Sequence, residues 1–171
     1  MIYDIPVRGH RNRRSASLRV MVRENEVSVN DLIMPLFVIE GENLKVEVKS
    51  MPRIYRFSLD KLKVEVKELW DLGIKAVALF PAIDDNLKDK VASESTNPQG
   101  LFQNAIRAVK EIAPGMLVVS DVAMDPYSSD GHDGIVENGK ILNDETLEVL
   151  GKMTLAQAQT GVDAIGPSDM M

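Results

Sequence analysis

The sequence predicts an α/β fold built on a parallel sheet, and three observations carry that prediction. Short, continuous apolar runs alternate with segments of helical periodicity. The apolar runs begin near residues 32, 74, 116 and 163, so one β–α unit recurs every 42 to 47 residues. The runs show no polar alternation, which marks strands buried on both faces and hence a parallel sheet. Two architectures satisfy these observations: a small doubly wound sheet, or part of a (β/α)8 barrel. No GxGxxG turn follows the first strand, which removes the usual dinucleotide-binding argument.

The elements follow in order. Residues 32–39 (LIMPLFVI) are a continuous apolar run too short for a helix, and form the first expected strand. Ser58 can cap a helix that places Leu62, Val66, Leu69 and Trp70 on one face and that Gly73 is placed to end. Residues 74–80 (IKAVALF) form the second strand. Asn97 and Pro98 are expected to open the next helix; its stripe is Leu101, Ala105, Ile106, Val109 and Ile112, and Pro114–Gly115 stops it. Residues 116–122 (MLVVSDV) are the third strand. A loop of about twenty residues follows, long for such a connection. A helix opens near Asn143 or Asp144, carries Leu147, Leu150 and Leu155, and ends at Gly161. Residues 163–167 (DAIGP) are the fourth strand.

Composition narrows the function classes. The chain has 171 residues, 44% of them hydrophobic and 27% charged, with a net charge of −6. That charge disfavours nucleic acid as a general partner. No apolar run approaches the ~18 residues a membrane span needs, and no signal-peptide core follows the polar N-terminus, so a cytoplasmic location is expected. The absence of cysteine removes disulfides, thiolate nucleophiles and any zinc site made of cysteines. Arg8, Arg11, Arg13, Arg14, Arg19 and Arg23 crowd the first two dozen residues. They read as a solvated arm, or as an arm gripping an acidic surface on another subunit. No aromatics are interleaved with them to stack on bases.

In barrels, chemistry gathers at the C-terminal ends of strands. Residues 120–134 (SDVAMDPYSSDGHDG) place Asp121, Asp125, Asp130, His132 and Asp133 within thirteen positions. Carboxylates so clustered can bind a hard cation such as Mg²⁺ through oxygen, although acidic turn-rich loops and Asx turns also read this way. The spacing is not that of an EF-hand. Asp121 differs from the others because it directly follows an apolar strand and should sit at its mouth. His132 reads as a loop histidine. Ser168 and Asp169 stand at the mouth of the last strand, either as a turn that caps a following helix or as substrate contacts. A Schiff-base lysine must be desolvated inside a pocket. Lys61, Lys63, Lys67, Lys110 and Lys152 belong to helices, Lys75 enters its strand at the wrong end, and Lys45, Lys49, Lys88, Lys90 and Lys140 lie in polar loops.

Five stretches together resemble the porphobilinogen synthase (5-aminolevulinate dehydratase) family: RGHRNRRSASLRVMVREN (8–25), SVNDLIMPLFVIEG (28–41) with SMPRIYR (50–56), ELWDLGIKAVALFP (68–81), the segment 121–150 containing DVAMDPY, GHDG and LNDETLEVL, and GVDAIGPSDMM (161–171). The resemblance implies the N-terminal half of a (β/α)8 barrel, about four β/α units over 28–171, preceded by a basic arm with a short helix over 1–27. It implies condensation of two 5-aminolevulinate molecules to porphobilinogen in tetrapyrrole synthesis, within a homo-oligomer, octamer or hexamer, held through the arm. Zinc-dependent members carry cysteines where this chain has Ala123, Asp125 and Asp133, so the match is to the aspartate-rich, often magnesium-dependent branch. Asp121 matches the family's active-site aspartate and Ser168 a serine lining the substrate pocket. Asp125 and Asp133 match positions proposed for a metal other than zinc.

Three positions depart from the family pattern: Arg53 replaces a usual glycine, Asp130 a frequent histidine and Thr96 a frequent tyrosine. Both Schiff-base lysines and the arginines that hold the substrate carboxylate correspond to positions beyond residue 171. This chain alone is therefore expected to be inactive. The alternative is a non-catalytic assembly or regulatory module derived from the enzyme. Half a barrel leaves strand edges and one sheet face without partners, so self-association is expected.

Overall fold

The computed structural model describes Pro6 and residues 9–171. Arg8, the first arginine of the basic segment, lies outside the described residues. After a 3-10 turn at Gly9–Arg13, helix α1 spans Ala16–Met21, and Ser15 caps it by accepting the Leu18 N–H at 3.1 Å. No residue of these two elements is buried.

Eight strands follow: β1 (Ile33–Ile39), β2 (Lys45–Glu47), β3 (Tyr55–Phe57), β4 (Ala76–Ala82), β5 (Leu117–Val122), β6 (Val136–Glu137), β7 (Lys140–Ile141) and β8 (Ala164–Pro167). Helices α2 (Leu59–Asp71), α3 (Leu101–Ile112) and α4 (Asn143–Thr160) precede β4, β5 and β8. The main sheet has the order β2-β3-β1-β4-β5-β8, and β1, β4, β5 and β8 run parallel in chain order. β6 and β7 form a separate two-stranded hairpin.

Three local details depart from the sequence reading. β4 begins at Ala76 rather than at residue 74, because Ile74 returns its N–H to the Leu69 carbonyl at 3.0 Å while Gly73, at φ +95°, turns the chain out of α2. Ser58 stands at the N-cap of α2 but caps no N–H of that helix. Its hydroxyl accepts the Leu44 N–H at 2.9 Å and donates to Asp60 at 2.6 Å, tying the β2–β3 hairpin to the helix. α3 opens at Gly100, not at Asn97–Pro98. A Cβ at Gly100 would lie 2.8 Å from a Glu94 carboxylate oxygen and 3.1 Å from the Asn97 carbonyl oxygen, so a side chain there would push the Glu94 side chain aside and crowd the preceding turn.

Residues alternate strictly between the two faces of the sheet. Leu36 and Val38 of β1, Val77 and Leu79 of β4, and Val118 of β5 are buried beneath the helices, against Leu62, Val66, Phe102, Ile106, Val109 and Met153. The opposite face carries Ile33, Pro35, Phe37 and Ile39 on β1, Ala76, Ala78, Phe80 and Ala82 on β4, and Leu117, Val119 and Asp121 on β5. None of these is fully buried. Phe37 and Phe80 pair across it with ring centroids 5.5 Å apart. Asp121 is the one charged side chain among them. Among the described residues no helix is long and apolar enough to cross a membrane.

Candidate active site and metal centre

Asp121 is the fifth residue of β5, and Ser168 directly follows β8. The two strands pair in parallel, with Asp121 opposite Gly166. Both side chains therefore meet at one strand mouth although 47 residues separate them. The Ser168 hydroxyl donates to a carboxylate oxygen of Asp121 at 2.7 Å. From α4, the buried Gln157 amide donates to the Asp121 backbone carbonyl at 2.9 Å and holds the end of β5 in place. Ser168 thus holds the Asp121 carboxylate.

Asp125, Asp133 and Asp169 converge beside that pair, with one carboxylate oxygen from each lying within 4.8 Å of the others. Asp169 is anchored by accepting the Met124 N–H at 2.9 Å. Burial pushes the Asp125 carboxyl above its ordinary range, and the charges of Asp133 and Asp121 push it further; Lys88 opposes them. Burial likewise raises Asp169, helped by Asp133, Asp125 and Asp121 against the Met124 hydrogen bond. Asp125 and Asp133 are exposed and Asp169 is half-buried; together the three carboxylates form an all-oxygen donor set, the kind that suits a hard divalent cation.

The loop that carries Asp133 is more ordered than its turn-rich composition suggests. It contains the β6–β7 hairpin, where Val136 pairs with Ile141 and Glu137 with Lys140. The buried Thr146 of α4 accepts the Ile135 N–H at 3.0 Å and donates to the Leu142 carbonyl at 2.6 Å, fixing the loop to the start of the helix. A Cβ on Gly134 would lie 2.8 Å from Ile141 and Met171 side-chain atoms, so this segment is tightly enclosed. Asp130 and His132 stay exposed and outside the acidic cluster. Tyr127 is 2% exposed, and its hydroxyl makes no hydrogen bond. Burial pushes this phenol far up, with Asp121 and Glu94 adding to the effect.

Sequence reasoning named Asp121, Ser168, Asp125 and Asp133, and the fold brings all four to one mouth. It missed Asp169 as the third carboxylate and Gln157 as the support beneath Asp121. Lys45, Lys63, Lys67, Lys88 and Lys110 sit in ion pairs, Lys88 with Asp85 while its charge also reaches Asp125, and Lys75 stacks 3.9 Å over the Trp70 ring.

Comparison with known proteins agrees with this geometry. The family model described as delta-aminolevulinic acid dehydratase matches residues 6–171. The delta-aminolevulinic acid dehydratase of Bradyrhizobium diazoefficiens is 46% identical over 168 residues, covering 98% of this chain and 48% of that protein. The Chlamydia pneumoniae protein of the same name is 43% identical over 164 residues, covering 96% and 49%. The crystal structure of the Toxoplasma gondii enzyme, in complex with the reaction product porphobilinogen, superposes with a TM-score of 0.93 at 48% identity, covering 98% of this chain and 48% of that one. The chain spans about half the length of the curated relatives it matches, and its parallel sheet corresponds to about half of the barrel. On the family match and these identities, the chain belongs to the delta-aminolevulinic acid dehydratase family.

Proposed function

We propose that this chain supplies the N-terminal half of a porphobilinogen synthase, which condenses two molecules of 5-aminolevulinate to porphobilinogen. The observation that carries the reading is the Ser168–Asp121 hydrogen bond of 2.7 Å at the mouth shared by β5 and β8. In this reading Asp121 is the catalytic carboxylate: it orients the substrate amine and accepts a proton from it. Ser168 fixes the Asp121 rotamer and can turn its hydroxyl to the substrate. In this reading the lysines that form Schiff bases are supplied by the half of the relatives' length that this chain does not span. Asp125, Asp133 and Asp169 would hold Mg²⁺, which supplies charge neutralisation beside the reacting centre. The assembled enzyme would be a cytoplasmic homo-oligomer, an octamer or hexamer, joined through the arm.

Mixing the purified chain with a polypeptide equivalent to the second half of the Toxoplasma gondii enzyme tests this. Porphobilinogen formation is expected from the mixture and from neither part alone. Asp121→Asn should abolish it, and Ser168→Ala should reduce it by about 10²-fold. A mixture that associates without making product would sink the catalytic reading and favour the assembly module.

A further inference from the structure

A cleft of about 440 Å³ opens between α4 and the connection from β4 to α3, the size of a small-molecule site. It lies on the flank of α4 that packs against the 3-10 turn at Ser93–Thr96. Val91, Ile135 and Val149 give it an apolar lining. The buried Ala92 stands at φ +52°, a left-handed conformation that a side chain resists. The Asp89 carboxylate holds it there by accepting the Val91 and Ser93 N–H groups, each at 3.0 Å. This wall is therefore shaped before any ligand arrives, and such strain gathers at functional sites. The Ser93 hydroxyl donates to Asp89 and the Thr96 hydroxyl to the Ser93 carbonyl. Ser95, fully buried between them, is left with a hydroxyl that has no partner. On the opposite wall, Glu148 and Lys152 have the spacing and order that favour an ion pair within a helix. Among the described residues neither belongs to one, and Glu145, one turn earlier, is unpaired as well.

The geometry points to a binding site for a small aliphatic amino acid in this cleft. The carboxylate of the ligand faces Lys152 and its ammonium faces Glu148 and Glu145, so charges of both signs that α4 leaves unpaired find partners. The Ser95 hydroxyl turns to donate to the same carboxylate, which gives the buried orphan its hydrogen bond. The ligand's side chain covers Val91, Ile135 and Val149, and taking that surface out of water adds to the affinity. A plain amine would leave Lys152 and Ser95 unmatched, and a plain acid would meet two glutamates. Ile135 joins the cleft to the acidic mouth: it stands two residues from Asp133, and Thr146 holds its N–H at 3.0 Å. Occupancy therefore braces the loop that carries Asp133. Nothing in this inference depends on the catalytic reading.

Calorimetry on the purified full chain, with leucine as the probe, tests this. Leucine should bind with a dissociation constant on the order of 1 mM. Isopentylamine, which lacks the carboxylate, and isocaproate, which lacks the ammonium, should each bind about tenfold more weakly. Lys152→Met should weaken leucine about tenfold and leave isopentylamine unchanged. Glu145→Gln combined with Glu148→Gln should weaken leucine by a similar factor and leave isocaproate no weaker. All three side chains are exposed, so these variants should keep the fold, as a thermal melt would show. In the unmodified chain, amide exchange at Ile135 should slow when leucine is added, and that measurement decides the matter if a variant does not fold. No detectable leucine binding, isopentylamine binding as tightly as leucine, or an affinity untouched by Lys152→Met would each overturn the inference. So would leucine that protects the strand ends at Asp121 and Ser168 and leaves Ile135 unchanged.

Discussion

Arg53 adopts φ +69°, a left-handed conformation that a side chain resists by about 1–2 kcal/mol. Its N–H is held by the Glu47 carboxylate at 2.8 Å, which keeps the hairpin turn in that shape. Arg53→Gly should raise stability by about 0.5–1 kcal/mol in urea denaturation, because relieving the strain outweighs the entropy a glycine loses on folding. Here a departure from the family pattern found in the sequence acquires a physical meaning. Tyr127 gives a second test: its buried hydroxyl makes no hydrogen bond. Tyr127→Phe should therefore leave stability unchanged or raise it by up to about 1 kcal/mol. Asp121 and Ser168 were legible in the sequence because one stands near the C-terminal end of an apolar strand and the other directly follows one. Asp169 was not, because its role depends on β8 lying beside β5, and nothing local to Ser168–Met171 states that pairing.

At the level of elements, the apolar runs gave the four parallel strands and the stripes gave α2, α3 and α4. The two hairpins escaped because β2, β3, β6 and β7 are two or three residues long, too short for a period to register. Of the leucines that α4 carries, Leu150 is buried, whereas Leu147 and Leu155 are 50% and 57% exposed, and Thr146 and Gln157 are buried. The helix buries the residues that hold the site as well as those that pack. At the other end of the sheet, Asp163 joins α3 to β5 and β8: it pairs with Lys110 and accepts the Val118 N–H at 2.7 Å. Burial raises its carboxyl, but the Lys110 hydrogen bond and the Val118 N–H together outweigh this and hold it below the ordinary 3.8. A depressed native value adds stability above 3.8 that is lost as pH falls through the lower native value. Asp163→Asn should cost about 1 kcal/mol at neutral pH after allowance for solvent screening. That difference should vanish in strong acid, as thermal melts across pH would show.

On the scale of the whole molecule, the acidic mouth behaves in the opposite sense. Asp125 and Asp169 have raised native values, so each binds its proton more firmly folded than unfolded. Without metal, the stability they leave to the fold declines as pH rises from about 3.8 through those raised values. Asp133→Asn should flatten this decline. Mg²⁺ at about a hundred times its dissociation constant should add about 2.7 kcal/mol at neutral pH, and Asp133→Asn should erase most of that gain; a melt unmoved by Mg²⁺ would refute the metal reading. The overall architecture was legible because a repeat of 42 to 47 residues survives any error in element boundaries. The assembly of the mouth was less so, because it is a property of strand order. The Thr146 hydroxyl has a further consequence: it leashes the Asp133 loop to a helix that contributes no carboxylate of its own. Thr146→Val would cut that leash and let Asp133 drift, loosening the grip on a cation with all three ligands intact, so the tuning screw of the mouth sits in the helix behind it.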